Sequence, residues 1–156
     1  MIHEVACALI VHSQRILLGL RSATREFYPG VWDVFGGHVE PGEQHEQTMI
    51  RELQEELGIT PAQWTFLETI QLSPQAHSDP LILHFYHVTA WTGTPANLQS
   101  EEHSAIGWFS LDESSQLRLA DTGYLALFER VLASGPGGSQ PDNSEKKTLN
   151  HVRDEG

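Results

Sequence analysis

The sequence predicts an α/β or α+β sandwich. Strand-like segments outnumber helical ones, and the two helical patterns stand one centrally and one late in the chain. A length of 156 residues suits about one domain of ~100–200 residues, long enough to bury a sizeable core. The 39% apolar content is that of a globular protein. The single cysteine, Cys7, can form neither an internal disulfide nor a multi-cysteine metal site. A reducing, cytoplasmic setting follows as the expectation.

Taken in order, residues 4–11 and 15–20 read as strands separated hairpin-fashion by His12, Ser13 and Gln14. A loop over 21–31 leads to the short apolar piece 32–35, which Gly36 and Gly37 stop. A helical pattern over 43–57 closes at Gly58 as its C-terminal cap, with Pro61 just beyond. Residues 64–72 and 81–90 alternate as strands around a loop at 73–80, Gly93 and Pro95 mark a turn, and 106–109 is a short strand leading to Leu111, Asp112 and Glu113, read as scaffold. After Asp121, a plausible N-cap, Tyr124, Leu125, Leu127, Phe128, Val131 and Leu132 recur at helical spacing to about residue 133. Gly, Ser, Pro, Asp and Lys then dominate, so 1–133 reads as the folded domain and 134–156 as a disordered tail.

Nine Lys and Arg against 21 Asp and Glu give a net charge of −12. Such a chain repels phosphate backbones and anionic headgroups, which argues against a nucleic-acid polymer or a membrane as partner. The apolar run 5–11 follows His3 and Glu4 rather than the Lys or Arg of a secretory leader, and no run approaches the ~18 apolar residues of a membrane span. A small polyanion can still be bound through divalent metal.

The segment 37–59 supplies the means. At ~100° per residue, with Glu52 as zero, Glu55 falls near 300° and Glu56 near 40°, so three carboxylates share an arc of roughly 100°. Leu53, Leu57 and Ile50 fall near 100°, 140° and 160° and form a separate packing stripe. Clustered carboxylates repel unless neutralised, and hard oxygen donors suit Mg²⁺ or Mn²⁺, which bring substrate phosphates with them. Gly36 and Gly37 allow the backbone to approach a metal closely. Three glutamates alone would describe a solvated helix face; the full segment is far more specific.

Gly37, Glu43, then Arg51, Glu52, Leu53, Glu55, Glu56, Gly58 and Ile59 stand at the spacing of the Nudix box. At average residue usage these positions coincide by chance in on the order of one in ten million chains. The segment thus resembles the Nudix hydrolase superfamily, and the element order over about 3–133 is similar to that family's α/β/α sandwich, a mixed β-sheet packed between helices. The resemblance implies hydrolysis of a pyrophosphate bond in a nucleoside diphosphate-linked substrate. It implies that Glu52, Glu55 and Glu56, with the backbone of Gly37, hold Mg²⁺ (or Mn²⁺), that Arg51 orients a box glutamate, and that Glu43 braces the loop. The proton acceptor is Glu52 or Glu56, or a glutamate of a later loop, for which Glu101 and Glu102 are candidates. Gly36, Glu43 and Gly58 are read as structural residues of the loop-helix-loop.

Specificity lies outside the box. Arg21 and Arg25 are candidate phosphate contacts, and Trp32, with Phe27 and Tyr28 before it, offers π faces to a base, core packing being the alternative for Trp32. His38, His45 and His103 could each contact phosphate or tune a carboxylate, but among nine histidines some such proximity is expected, and none is assigned a role. Compact size resembles MutT-like (deoxy)nucleoside triphosphate pyrophosphatases, those that clear oxidised nucleotides included, which release nucleoside monophosphate and pyrophosphate. Pro74 points to ADP-ribose hydrolases and the Leu17, Leu18, Arg21, Ser22 segment to coenzyme A hydrolases. An isopentenyl diphosphate isomerase-like enzyme, for which Cys7 stands far from the box in sequence, and a non-catalytic nucleotide sensor complete the alternatives. A homodimer is an assembly common in the family.

Overall fold

The computed structural model describes residues 2–25, 28–72 and 79–132. Phe27, Pro74 and the 134–156 tail lie outside the described residues. In chain order the elements are β1 (His3–His12), β2 (Arg15–Arg21), β3 (Trp32–Asp33), β4 (Phe35–His38), α1 (His45–Leu57), β5 (Thr60–Leu72), β6 (Leu81–Thr92), β7 (His103–Phe109), α2 (Leu111–Ser115) and α3 (Tyr124–Leu132). This is an α+β arrangement of strands and helices. The chain groups into two compact units, residues 1–9 with 35–95, and residues 10–34 with 96 onward.

In the first unit β1 has β4 and β6 as neighbours, and β6 carries β5. The β1–β4 ladder is antiparallel and sets Ala6 opposite Gly37 and Cys7 opposite Gly36. Cys7, remote from the glycines in sequence, is therefore their cross-strand neighbour, and its thiol is buried. Helix α1 packs on β4 and β5 through Met49, Leu53 and Leu57, which lose all contact with solvent. The helix begins at His45 rather than 43, because the amide of Gln44 donates to the Gln47 side chain (2.9 Å) and so fixes the first turn. It ends as expected at Gly58, whose amide donates to the Gln54 carbonyl and whose φ of 72° turns the following Ile59 amide onto the Leu53 carbonyl at 3.4 Å.

Two expectations for this unit change. β5 starts at Thr60, four residues before the expected 64, with Pro61 buried inside it. The β5–β6 register shifts between Pro61 and Gln63, and a proline next to a bulge needs no ladder donor. Ile50 is only half-buried, while Glu56 is buried. The buried arc of α1 centres on Met49 and Leu53, so it reaches Glu56 on one side and leaves Ile50 at the margin.

In the second unit the end of β1 turns into β2 through Ser13 and Gln14, at φ 51° and 63°, with His12 opposite Arg15. The loop is thus two residues long and His12 belongs to the strand. β2 pairs antiparallel with β7 from Ile16↔Phe109 to Arg21↔His103, so β7 starts at 103 rather than 106. It also pairs with β3, Leu20 opposite Trp32. The short helix α2 has no counterpart in the sequence reading; its five residues are too few to show a period. Its signal is the Ser110–Glu113 capping box, in which each side chain accepts from the other's amide. Helix α3 buries Tyr124, Leu127, Phe128, Val131 and Leu132 of the expected spacing and leaves Leu125 half-buried at its margin. Asp121 closes the turn before it by accepting from the Gly123 amide at 2.8 Å.

Candidate functional site

The glycine turn and α1 define the site in the first unit. Gly36 has φ 154°, and a side chain there would collide with the carbonyl of Ala6 on the neighbouring strand. Its amide donates to Glu56 Oε1 at 3.2 Å. At Gly37 the restriction is space: a Cβ would fall on the Glu52 carboxylate. Two carboxylates of one helix face are thereby brought to two consecutive glycines. The third, Glu55, lies on the exposed flank, its side chain 49% accessible against 16% for Glu52. Across the expected arc the carboxylates therefore pass from exposed Glu55 through Glu52 to Glu56, which is 5% exposed.

Arg51 is the counter-charge. Its Nη1 lies 2.9 Å from Glu52 Oε2 and 3.3 Å from Glu55 Oε1. Nε and Nη2 fork onto the two oxygens of Glu43 at 2.8 and 3.0 Å. Thr48, buried one turn into the helix, donates its hydroxyl to Glu43 at 2.7 Å, and the Glu40 amide donates to the same carboxylate at 3.1 Å. These bonds, Arg51's first, hold the Glu43 carboxyl down at about 2. The Glu43 bond, with Glu52 beside it, pushes Arg51 upward. Glu43 thus clamps the loop 40–43 to α1 and fixes the guanidinium that lies against Glu52. Thr48 escaped the sequence reading; helix register from Glu43 was the available signal. The further Arg51 Nη2 contact to the His38 carbonyl, 3.3 Å, ties the strand end into the same clamp.

The second unit holds the other candidates. Arg21 donates Nε to the Tyr28 carbonyl at 3.0 Å, and its Nη1 lies 3.4 Å from Asp33. Arg25 reaches the Glu102 carbonyl at 3.4 Å and its carboxylate at 3.6 Å. Arg21 and Arg25 therefore each have protein partners, and Glu102 sits beside Arg25. Trp32 packs edge-to-face on Phe109, centroids 4.9 Å apart, and its backbone bonds to Arg118 and Ala120; it is half-buried. His103 is buried, and burial, with Arg25 and Arg21 nearby, holds it down to about 4. Asp33, which the sequence reading passed over, has its carboxyl pushed up by burial against the pull of Tyr124 and Arg21. In the first unit His38 is exposed, with its ring 6.1 Å from that of His3, while His45 stacks on His84 away from the glycine turn.

The donor set on α1 fits Mg²⁺ or Mn²⁺. Every candidate ligand is a hard oxygen, and the side chain missing at Gly37 leaves room that the Glu52 carboxylate uses.

Comparison with known proteins agrees with this geometry. The NUDIX domain model matches residues 1–130. CTP pyrophosphohydrolase of Escherichia coli is 38% identical over 136 residues, 85% of this chain and 96% of the relative. The asymmetrical bis(5'-nucleosyl)-tetraphosphatase of Sus scrofa is 34% identical over 121 residues, 72% of this chain and 82% of its own. Among solved structures, a MutT Nudix hydrolase from Burkholderia pseudomallei superposes with TM-score 0.74 at 30% identity, covering 85% of this chain and 98% of that one. The chain belongs to the Nudix hydrolase superfamily. It has that family's α+β fold and is an enzyme of the pyrophosphohydrolase class. Among the described residues no helix is long and apolar enough to cross a membrane.

Proposed function

We propose that this enzyme cleaves a nucleoside triphosphate, oxidised forms included, to nucleoside monophosphate and pyrophosphate in a Mg²⁺-dependent reaction. The observation that carries the reading is the convergence of Glu52 and Glu56 on Gly36 and Gly37, with Arg51 beside Glu52. The similarity to a CTP pyrophosphohydrolase over 96% of that relative's length supports the triphosphate class, and with it a small nucleotide as the partner. Glu52, Glu55 and Glu56, with the Gly37 backbone, would hold the metal. When bound, Mg²⁺ supplies Lewis acidity toward phosphate oxygens and a lowered pKa for water. Arg51 holds Glu52 in place from one side, the glycine turn receives it on the other, and Glu43 anchors the guanidinium that also reaches Glu55. Glu52, Glu56 and Glu102 are the groups proposed to take the proton of the attacking water. Arg21, Arg25 and Trp32 are proposed as substrate contacts, and residues 1–133 as the catalytic domain.

The similarity to an asymmetrical dinucleoside tetraphosphatase favours a second reading, attack on a longer polyphosphate bridge. Cys7, opposite Gly36, is near enough to the box that sequence distance does not separate this chain from an isomerase; the intact glutamate set and the hydrolase relatives favour hydrolysis. The test is turnover with about 5 mM Mg²⁺, an excess over a weak site, across nucleoside triphosphates, oxidised dGTP, dinucleoside tetraphosphate, ADP-ribose and coenzyme A, with products identified by mass. Monophosphate and pyrophosphate from a triphosphate is the expected result. Cleavage confined to another member of the panel would reassign the substrate, and no hydrolysis of any would favour the isomerase or sensor.

A further inference from the structure

A second group of titratable side chains lies in the first unit, where the start of α1 meets β1, β5 and β6. His45, the first residue of α1, lies flat on His84 of β6, ring centroids 3.8 Å apart and planes 7° from parallel. His84 is held at both nitrogens, Nε2 by Glu4 Oε2 of β1 at 2.8 Å and Nδ1 by the Thr69 hydroxyl of β5 at 2.9 Å. His45 Nδ1 bonds the hydroxyl of Tyr86 on β6, and Phe66 of β5 closes over both rings. Glu46 of α1 accepts from Trp64 Nε1 at 2.9 Å. The charged and titratable groups facing the stack are therefore Glu46 from α1, His84 and Tyr86 from β6, and Glu4 from β1; β5 presents the neutral Thr69 and Phe66.

We propose that the His45–His84 stack is a proton-operated latch on the N-terminus of α1, closed when His45 is neutral and released when His45 is protonated. Three physical facts converge on this. Two imidazolium rings at 3.8 Å would repel strongly, so the stack disfavours a charge on His45 beside a charged His84, and the Glu4 carboxylate lies against His84 rather than His45. A cation on the first residue of a helix opposes the helix dipole. A neutral His45 accepts from Tyr86, whose phenol, pushed up to about 12 mainly by burial, remains a donor. A proton on His45 Nδ1 turns that acceptor into a donor, forces the Tyr86 bond to reverse, and sets a cation against the face of the His84 ring. Burial and His84 hold His45 below the ordinary histidine range, so the unfolded chain takes up its proton first and the latch weakens as pH falls. Because α1 carries the candidate metal carboxylates, acid would loosen that helix from its first turn. The effect on turnover rests on the function proposed above; the effect on α1 does not.

The test is histidine NMR titration of the full chain, with amide hydrogen exchange in the first turn of α1 corrected for the intrinsic pH dependence of exchange. Between about pH 7.5 and 5, protection of that turn should fall about tenfold, and the fall should follow protonation of the His45 ring. His45→Gln, which keeps an acceptor for Tyr86, should leave neutral-pH turnover unchanged and make protection independent of pH. Protonation of His45 that leaves protection of the first turn intact, or wild-type protection that does not change with pH, would overturn the latch. An intact latch in an enzyme inactive on the substrate panel would overturn the functional proposal instead.

Discussion

The Glu52 carboxylate occupies the space in which a side chain at residue 37 would begin. Gly37 is required for room. Gly37→Ala should displace Glu52, lower kcat/KM by on the order of a hundredfold, the effect of misplacing a catalytic group by about an ångström, and leave far-UV circular dichroism unchanged. Steady-state kinetics check this; near-normal kcat/KM would show that Glu52 need not sit against the turn.

The Arg51 fork onto Glu43 makes a second case. Glu43 titrates at about 2, below its unfolded value, so its contribution to stability is complete above that unfolded value and lost as pH falls through about 2. Arg51→Met should raise the Glu43 titration toward the ordinary carboxylate range, the Thr48 and Glu40 bonds still holding it down in part, and reduce turnover through Glu52. Carbon-detected NMR of the glutamates checks the first effect independently of activity. Arg51→Lys should restore charge without the fork and recover activity only in part.

Glu56 is 5% exposed and accepts from the Gly36 amide. It lies inside the packed arc of α1 rather than on its solvent face. Glu56→Gln keeps an acceptor for Gly36 and should lower turnover by orders of magnitude while the fold persists. Glu56→Ala should also lower Tm, because the Gly36 amide loses that acceptor. Thermal melts of both variants separate the two roles.

Divalent metal should raise Tm. At ten times its Kd, Mg²⁺ or Mn²⁺ stabilises the native state by about 1.4 kcal/mol, a shift of several degrees for a domain of this size. Arg51 already offsets Glu52 and Glu55, so the metal-free protein should fold without the ion. Arg51→Met should therefore show the larger metal-induced shift, measured by calorimetry.

Acid stability gives a further prediction. His103 is buried and held down to about 4, by burial first and then by Arg25 and Arg21. The unfolded chain takes up that proton near pH 6.5, so stability falls as pH drops from there toward 4, by about 3 kcal/mol in all. Denaturant unfolding at several pH values should show the slope, and His103→Gln should flatten it.

Much of this was legible in the sequence. The box spacing placed Glu52, Glu55 and Glu56 on one arc of α1, and Gly58 marked its end, because helix geometry and left-handed caps are local properties. What the sequence hid depends on contacts between distant segments. Cys7 meets Gly36 only through the β1–β4 register. His45 meets His84 only because β6 passes under the start of α1. Glu56 is buried because the packed arc of the helix reaches past its apolar stripe. The helix α2 was missed for a local reason, its five residues being too few to show a period.

The most direct measurement is ³¹P NMR of a nucleoside triphosphate incubated with the wild-type enzyme and with Glu52→Gln, with Mg²⁺ and with chelator. The account predicts pyrophosphate and nucleoside monophosphate from the wild type in Mg²⁺ alone, and a loss of several orders of magnitude in the variant. Equal rates with chelator, or in Glu52→Gln, would contradict it.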